Sequence, residues 1–220
     1  MEKAATPLRT ILDTIEAACK RARREPADVT LIAVSKTRSA ADIEPLLRAG
    51  HRHFGENRVQ EAAQKWPALR EACPDVTLHL IGQLQSNKAL DAAQLFDCIH
   101  SLDRPSLVTA LAKAFEKTGR PLPCFIQVDV GDEPQKGGCP LRDVPALIRQ
   151  AREADIPLAG LMCLPPADKE PAPFFALLDK LARDYGLAGR SMGMSSDYDT
   201  AVMLGATHIR VGTALFGERR

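Results

Sequence analysis

Chemistry in this sequence gathers at a lysine and a few small polar residues, each placed where an apolar run ends. Val29-Thr30-Leu31-Ile32-Ala33-Val34-Ser35-Lys36 is β-branched and aliphatic until it stops on a serine and a lysine. Such a run reads as a strand buried on both faces. A lysine where that strand leaves the core is poorly explained by packing. An amine partly withdrawn from water titrates closer to neutrality, where it can attack carbonyls. The plainer alternative is a lysine whose stem lines the strand end and whose head stays wet. Towards the other end, Ser191-Met192-Gly193-Met194-Ser195-Ser196-Asp197 and Arg210-Val211-Gly212-Thr213 combine hydroxyls with glycines, and the second leads into a short apolar turn, Ala214-Leu215-Phe216. The hydroxyls of Ser195 and Thr213, backbone N–H groups freed by Gly212 and a helix start together suit an anion. The alternative is serines that cap helices and glycines that turn the chain.

The elements that must position these residues alternate along the chain. An amphipathic helix opens it, with Leu8, Ile11, Leu12, Ile15 and Cys19 on one face. Strands are expected at 29–34, 53–55, 77–82, 97–101, 123–130, 157–162, 190–193 and 207–211, with helices at 40–49, 57–65, 86–94, 104–118, 142–153, 172–185 and 196–204. Turn signals such as Ala49-Gly50, Cys73-Pro74 and Asp155-Ile156-Pro157 separate them. Eight strands, nearly all followed by helices, predict an α/β fold of the (β/α)8 TIM-type barrel kind with an extra N-terminal helix. No GxGxxG follows the first strand, which argues against a dinucleotide-binding sheet. No composition break divides residues 1–220, so one domain is expected.

In a barrel, the C-terminal strand ends share one rim, where the loops after strands seven and eight often hold a phosphate. Lys36 would sit on that rim after strand one. Asn57 would follow strand two, as a helix cap or a ligand contact. Lys136 lies in a flexible Lys136-Gly137-Gly138 segment and reads most simply as an exposed loop residue. A nucleophilic lysine and an anion site on one rim imply a ligand bearing a carbonyl and a phosphate. Pyridoxal 5'-phosphate (PLP) and the sugar phosphates of aldolases both qualify, and spacing does not separate them.

Bulk properties narrow the function class. A formal net charge of +1 argues against nucleic-acid binding, and Lys20-Arg21-Ala22-Arg23-Arg24 reads as a solvated helix end whose charges suit the helix dipole. No apolar run approaches membrane-spanning length and no signal peptide follows Met1-Glu2-Lys3, so a cytoplasmic protein off the membrane is expected. The six cysteines form no CxxC pair and read as reduced, mostly buried thiols. His51 and His53 could share a strand face as metal ligands, but no cluster completes a site, so no metal is expected.

Beyond these readings lies an ordered set of motifs: Ala33-Val34-Ser35-Lys36, His53-Phe54-Gly55-Glu56-Asn57-Arg58-Val59-Gln60-Glu61, His79-Leu80-Ile81-Gly82-Gln83-Leu84-Gln85-Ser86-Asn87-Lys88, Ser191-Met192-Gly193-Met194-Ser195 and Ile209-Arg210-Val211-Gly212-Thr213-Ala214-Leu215-Phe216-Gly217. From the first strand to the end, the sequence closely resembles the pyridoxal phosphate homeostasis protein family, the YggS/PROSC group. The resemblance implies an alanine-racemase-like, fold-type III barrel with PLP as a Schiff base on Lys36. It puts Asn57 beside the ring, Ser191, Ser195, Gly212 and Thr213 around the phosphate, and Arg210 opposite the pyridine nitrogen. Lys136 matches a loop lysine tied to a secondary cofactor contact. Two departures stand out, with Arg58 where an aromatic is common and Leu78 where a tryptophan is common; either could alter the pocket rim.

The resemblance implies a carrier that holds PLP for intracellular vitamin B6 homeostasis and delivers it to apo PLP-dependent enzymes, without substantial catalysis. The alternative is a PLP-dependent enzyme of the amino-acid racemase type. Arg210 stays protonated, which disfavours protonation of the ring nitrogen and weakens the ring as an electron sink. Racemases of this fold resemble a barrel plus a further β domain that supplies a tyrosine acid/base. The only tyrosines here are Tyr185 and Tyr198, neither in such a domain, which favours the carrier and a monomer or weak dimer.

Overall fold

A computed structural model describes residues 2–217, with the side chains of 2–5 and 134 left aside. In chain order the elements are α1 (Glu2–Ala22), β1 (Thr30–Val34), α2 (Ala40–Arg48), β2 (His53–Glu56), α3 (Val59–Ala72), β3 (Thr77–Leu80), α4 (Ala89–Leu95), β4 (Cys98–Leu102), α5 (Pro105–Thr118), β5 (Cys124–Asp129), β6 (Cys139–Pro140), α6 (Val144–Glu153), β7 (Leu158–Cys163), α7 (Ala172–Asp184), β8 (Gly189–Ser191), α8 (Tyr198–Met203), β9 (His208–Val211) and α9 (Thr213–Phe216). Every strand pairing is parallel, in the order β4-β3-β2-β1-β9-β8-β7-β5, and β4 pairs with β5 to close the ring. The result is the eight-stranded (β/α)8 barrel the alternation predicts. The two-residue β6 was not foreseen; it joins β5 at Val128 and Asp129, beyond the last β4 pairing at Ile126.

Two cores form because a strand's side chains alternate between faces. The outward set, including Ile99, Leu78, Leu80, Phe54 and Ile126, packs under the helices in one continuous apolar layer. The interior is smaller and unusually polar. Cys98, Phe125 and Met162 form a separate apolar cluster, while His79, His100, Gln127, Ser191 and Arg210 are also buried. His208 on β9 contacts the rings of His79 on β3, His100 on β4 and Phe125 on β5, which only inward-facing side chains on these strands could do.

Helix α1 packs on α2, α8 and α9, filling the outer wall where the four-residue α9 is too short to do so. Arg24 pins its end by donating to the Val202 and Ala206 carbonyls at 2.7 and 2.8 Å. Helix α3 runs seven residues past the expected end at 65, continuing through Pro67 to Ala72. A proline inside a helix costs about 3 kcal/mol. Here Trp66 and Leu69 are buried on the same helix, and their apolar face outweighs the lost hydrogen bond. Leu78 lies in the outer core, away from the rim. No helix among the described residues is long and apolar enough to cross a membrane.

Candidate functional site

At the C-terminal rim a cavity of about 360 Å³ is lined by Val34, Lys36, Asn57, Ile81, Leu164, Met194, Ser195, Ser196, Arg210, Gly212 and Thr213. Six of the seven predicted cofactor-contact residues therefore share one hollow, although the loops that carry them are far apart in sequence. Barrel topology explains the convergence, since strand ends meet at the rim however distant the strands are in the chain.

Lys36 follows β1 after one residue, Ser35, and its backbone is held from both sides. Ser35 is fully buried, and its hydroxyl donates to Glu56 Oε1 at 2.6 Å. Lys65 Nζ donates to the Ser35 carbonyl at 2.8 Å and to that of Arg38 at 3.1 Å. On the far side, the Thr37 N–H donates to Glu61 Oε1 at 2.5 Å, with Thr37 in the left-handed region at φ 61°. Glu56 Oε1 also receives Trp66 Nε1 at 3.0 Å and lies 2.8 Å from Lys65 Nζ. Glu56, Glu61, Trp66 and Lys65 thus form a clamp on the lysine-bearing turn. The sequence reading missed this role, although Glu56 and Glu61 belong to the second motif quoted for the family.

Asn57 does not cap a helix. Arg58 holds the cap position of α3, without a side-chain cap bond. The Asn57 backbone is fixed by the loop after β3, because a Cβ on Gly82 would clash with the Asn57 carbonyl oxygen and lie 2.7 Å from its Cα. Arg58 faces a polar groove beyond the cavity, which it shares with Gln60, Gln83, Gln85 and Lys88.

The last two strand ends supply the anion-suited side. The Gly212 N–H donates to Ser195 Oγ at 3.3 Å, tying the loop after β9 to the loop after β8. Gly193, at φ 93°, lets that second loop turn with no room for a Cβ, which would lie 2.6 Å from the Ala201 Cβ. Asp197 holds the turn by accepting from the Met194 N–H at 2.6 Å, and burial raises its carboxyl pKa.

Ser191 is elsewhere. The resemblance placed it around the phosphate, but it is fully buried below the cavity, between Arg210 and His100. Arg210 reaches the cavity from the interior. Its Nη1 donates to Ser191 Oγ at 2.6 Å and its Nη2 to the Cys163 carbonyl at 2.8 Å. Burial pulls its pKa down to about 10, partly offset by Cys163 and Asp197, so it remains a cation at neutral pH. Lys136 lies outside the cavity lining, with its ammonium 2.8 Å from Glu133 Oε2 and donating to the Pro165 carbonyl at 3.2 Å.

The histidines also depart from expectation. His51 does not share a strand face with His53, since it precedes β2 and its Nε2 meets the His53 carbonyl at 2.7 Å. The ligand atoms of His79, Cys98 and His100 instead come within 4.8 Å of one another in the barrel interior. Metal-like proximity is not the whole of their chemistry. Both nitrogens of each ring have hydrogen-bond partners, and burial pushes the Cys98 thiol up to about 12, away from the thiolate a metal requires.

The sequence matches the alanine racemase N-terminal domain family over residues 11–220. It is 39% identical over 225 residues to the pyridoxal phosphate homeostasis protein of Pseudomonas aeruginosa, covering 100% of this chain and 97% of that one. The chain belongs to the pyridoxal phosphate homeostasis protein family. Among solved structures, PipY of Synechococcus elongatus with PLP bound is 38% identical, with a TM-score of 0.86 over 98% of this chain and 100% of that chain. An alanine racemase of Clostridium difficile shares the fold at 16% identity, with a TM-score of 0.69 over 94% of this chain and 56% of that chain.

Proposed function

We propose that this protein binds PLP as a Schiff base on Lys36, retains it for intracellular vitamin B6 homeostasis and releases it to apo-enzymes without substantial catalysis of its own. The observation that carries this reading is the single rim cavity that joins Lys36 to Arg210 and to the Ser195–Gly212–Thr213 side. The donor set fits the cofactor: an amine for the aldehyde, an arginine for the ring-nitrogen acceptor, and hydroxyls and backbone N–H groups for the phosphate. PLP when bound supplies an electrophilic carbon and a conjugated ring that can absorb electrons. Asn57 is the ring-side residue in this reading, and Ser191 acts from beneath, through Arg210. The PLP-bound PipY relative supports the assignment of the ligand.

The non-catalytic part rests on what surrounds Lys36. Moving a proton on both faces of a substrate requires a second positioned acid or base. Among the described residues lining the cavity, the remaining polar groups are an amide, hydroxyls and a guanidinium, with no carboxylate, imidazole, phenol or thiol. The unpaired cysteines support a reducing, cytoplasmic setting, and we read residues 1–220 as one barrel domain acting as a monomer or weak dimer.

The test is to incubate the PLP-loaded protein with a panel of L-amino acids in deuterium oxide. Cα exchange and racemisation should stay at background, while an apo PLP-dependent enzyme added to the same preparation should gain activity. Exchange at ordinary enzymatic rates would instead establish a racemase-like enzyme.

A further inference from the structure

A buried arginine usually lies against a carboxylate, yet among the described residues Arg210 makes no ion pair. It heads a chain of hydrogen bonds along the barrel axis. Ser191 Oγ lies 2.8 Å from His100 Nδ1, His100 Nε2 lies 3.0 Å from His79 Nδ1, and His79 Nε2 lies 3.1 Å from His53 Nδ1. His79 and His100 are buried, while His53 opens β2 at the N-terminal mouth and is half-buried. The chain therefore runs from the rim cavity to the opposite end of the barrel.

Its direction starts from guanidinium, which donates hydrogen bonds and accepts none. Ser191 Oγ accepts from Arg210, and among the described residues His100 Nδ1 is the one acceptor its own buried hydrogen reaches, so the hydroxyl donates there rather than lose a hydrogen bond. An accepting Nδ1 leaves the His100 proton on Nε2, where it donates to His79 Nδ1. The same step at His79 points its Nε2–H at His53. Reversing one link between neutral rings would set two donors or two acceptors face to face, and reversing the whole chain would leave the buried Ser191 hydroxyl hydrogen without an acceptor. Each imidazole then turns its electron-rich nitrogen toward Arg210, so aligned dipoles add to the field of the Asp197 carboxylate, which acts on Arg210 without an ion-pair contact.

We infer that His100, His79 and His53 act with Ser191 as positioning residues for Arg210, forming a one-way hydrogen-bonded chain that fixes the guanidinium at the cavity and stabilises its charge. The surroundings suit neutral rings. Burial holds His79 and His100 well below the usual imidazole range, and neighbouring cations or imidazoles push in the same direction. Packed around them are His208 from β9, Cys98 from β4 and Phe125 from β5, whose ring stacks on His100 at 4.4 Å. The inference rests on the reading of Arg210 as the residue that meets the bound ring.

Two measurements test it. Long-range ¹H–¹⁵N spectra of the cofactor-free, ¹⁵N-histidine-labelled protein at pH 7.5 should show His79 and His100 as neutral rings protonated on Nε2. Ser191→Ala should scramble that preference at His100. An Nδ1–H tautomer or a charged ring at His100 in the unaltered protein would overturn the chain. PLP affinity of His100→Asn and His100→Leu is then compared, because the asparagine oxygen still accepts from Ser191 and leucine cannot. His100→Asn should bind within about twofold of the unaltered protein, and His100→Leu roughly tenfold more weakly. Equal losses, or none with leucine, would reject a positioning role. The spectra need neither cofactor nor variant, so they decide the chain even if His100→Leu misfolds. An unaltered protein that takes up no PLP would refute the proposed function alone.

Discussion

Acidification should destabilise this protein well before its ordinary carboxylates titrate. His51 and His208 are held down at about 4, in both cases chiefly by burial, with nearby positive or imidazole groups adding to it. An unfolded chain would titrate these histidines near 6.5. Because their folded values are depressed, the stabilisation they retain is complete above about pH 6.5 and is lost as pH falls towards 4. Between those values the unfolded state binds protons that the folded state refuses. Each histidine then costs about 1.4 kcal/mol per pH unit, so two of them across the two units down to pH 4.5 remove about 5 kcal/mol. That is comparable with the whole stability of many domains. His79 and His100 are depressed in the same direction and steepen the loss, whereas the raised carboxyl of Asp197 opposes it at the acid end. The assay is urea unfolding of the cofactor-free protein at pH 7.5, 6.5, 5.5 and 4.5, extrapolated to water with m held as a check. His51→Phe should flatten the slope by one histidine's share. Equal stabilities at pH 7.5 and 4.5, or a rise on acidification, would refute the reasoning that these rings are buried neutral.

Two substitutions probe how the site is held. Lys65→Met removes the cation beside the fully buried Glu56, whose Oε2 has no hydrogen-bond partner. It should cost about 3–5 kcal/mol in urea unfolding, with part recovered by adding Glu56→Gln; a loss under 1 kcal/mol would show that the clamp on the Lys36 turn is not an ion pair in solution. Gly82→Ala drives a methyl into the Asn57 backbone, so it should weaken PLP binding at least tenfold with a smaller effect on stability. Unchanged affinity would remove Asn57 from the ring side.

What the sequence made legible was the rim. Lys36, Asn57, Ser195, Gly212 and Thr213 each follow a strand, and parallel closure of the barrel brings strand ends together whatever their separation in the chain. Ser191 lies beneath the cavity rather than in its lining because it is the last residue of its strand, and its side chain faces the interior below the loop that carries Ser195. The histidine chain was hidden for a related reason. Its members lie on three strands, 26 and 21 residues apart, and the link to Ser191 spans 91 more. One signal was present, in the alternation of Cys98-Ile99-His100 and His208-Ile209-Arg210, where a polar or sulfur side chain recurs at every second position of a buried strand. That period marks an inward, polar face. The clamp on Lys36 was hidden because Trp66 lies just past the helix end expected at 65, and nothing in the spacing of Glu56, Glu61 and Lys65 points back to the turn after β1.

The central claim is that Lys36 is the residue that holds PLP. Borohydride reduction of the PLP-loaded protein followed by peptide mapping tests it most directly. The account predicts one dominant pyridoxyl adduct on Lys36, and loss of the covalent absorption band in Lys36→Ala. A dominant adduct on Lys65, Lys88, Lys136 or any other lysine, or a band that survives Lys36→Ala, would contradict it.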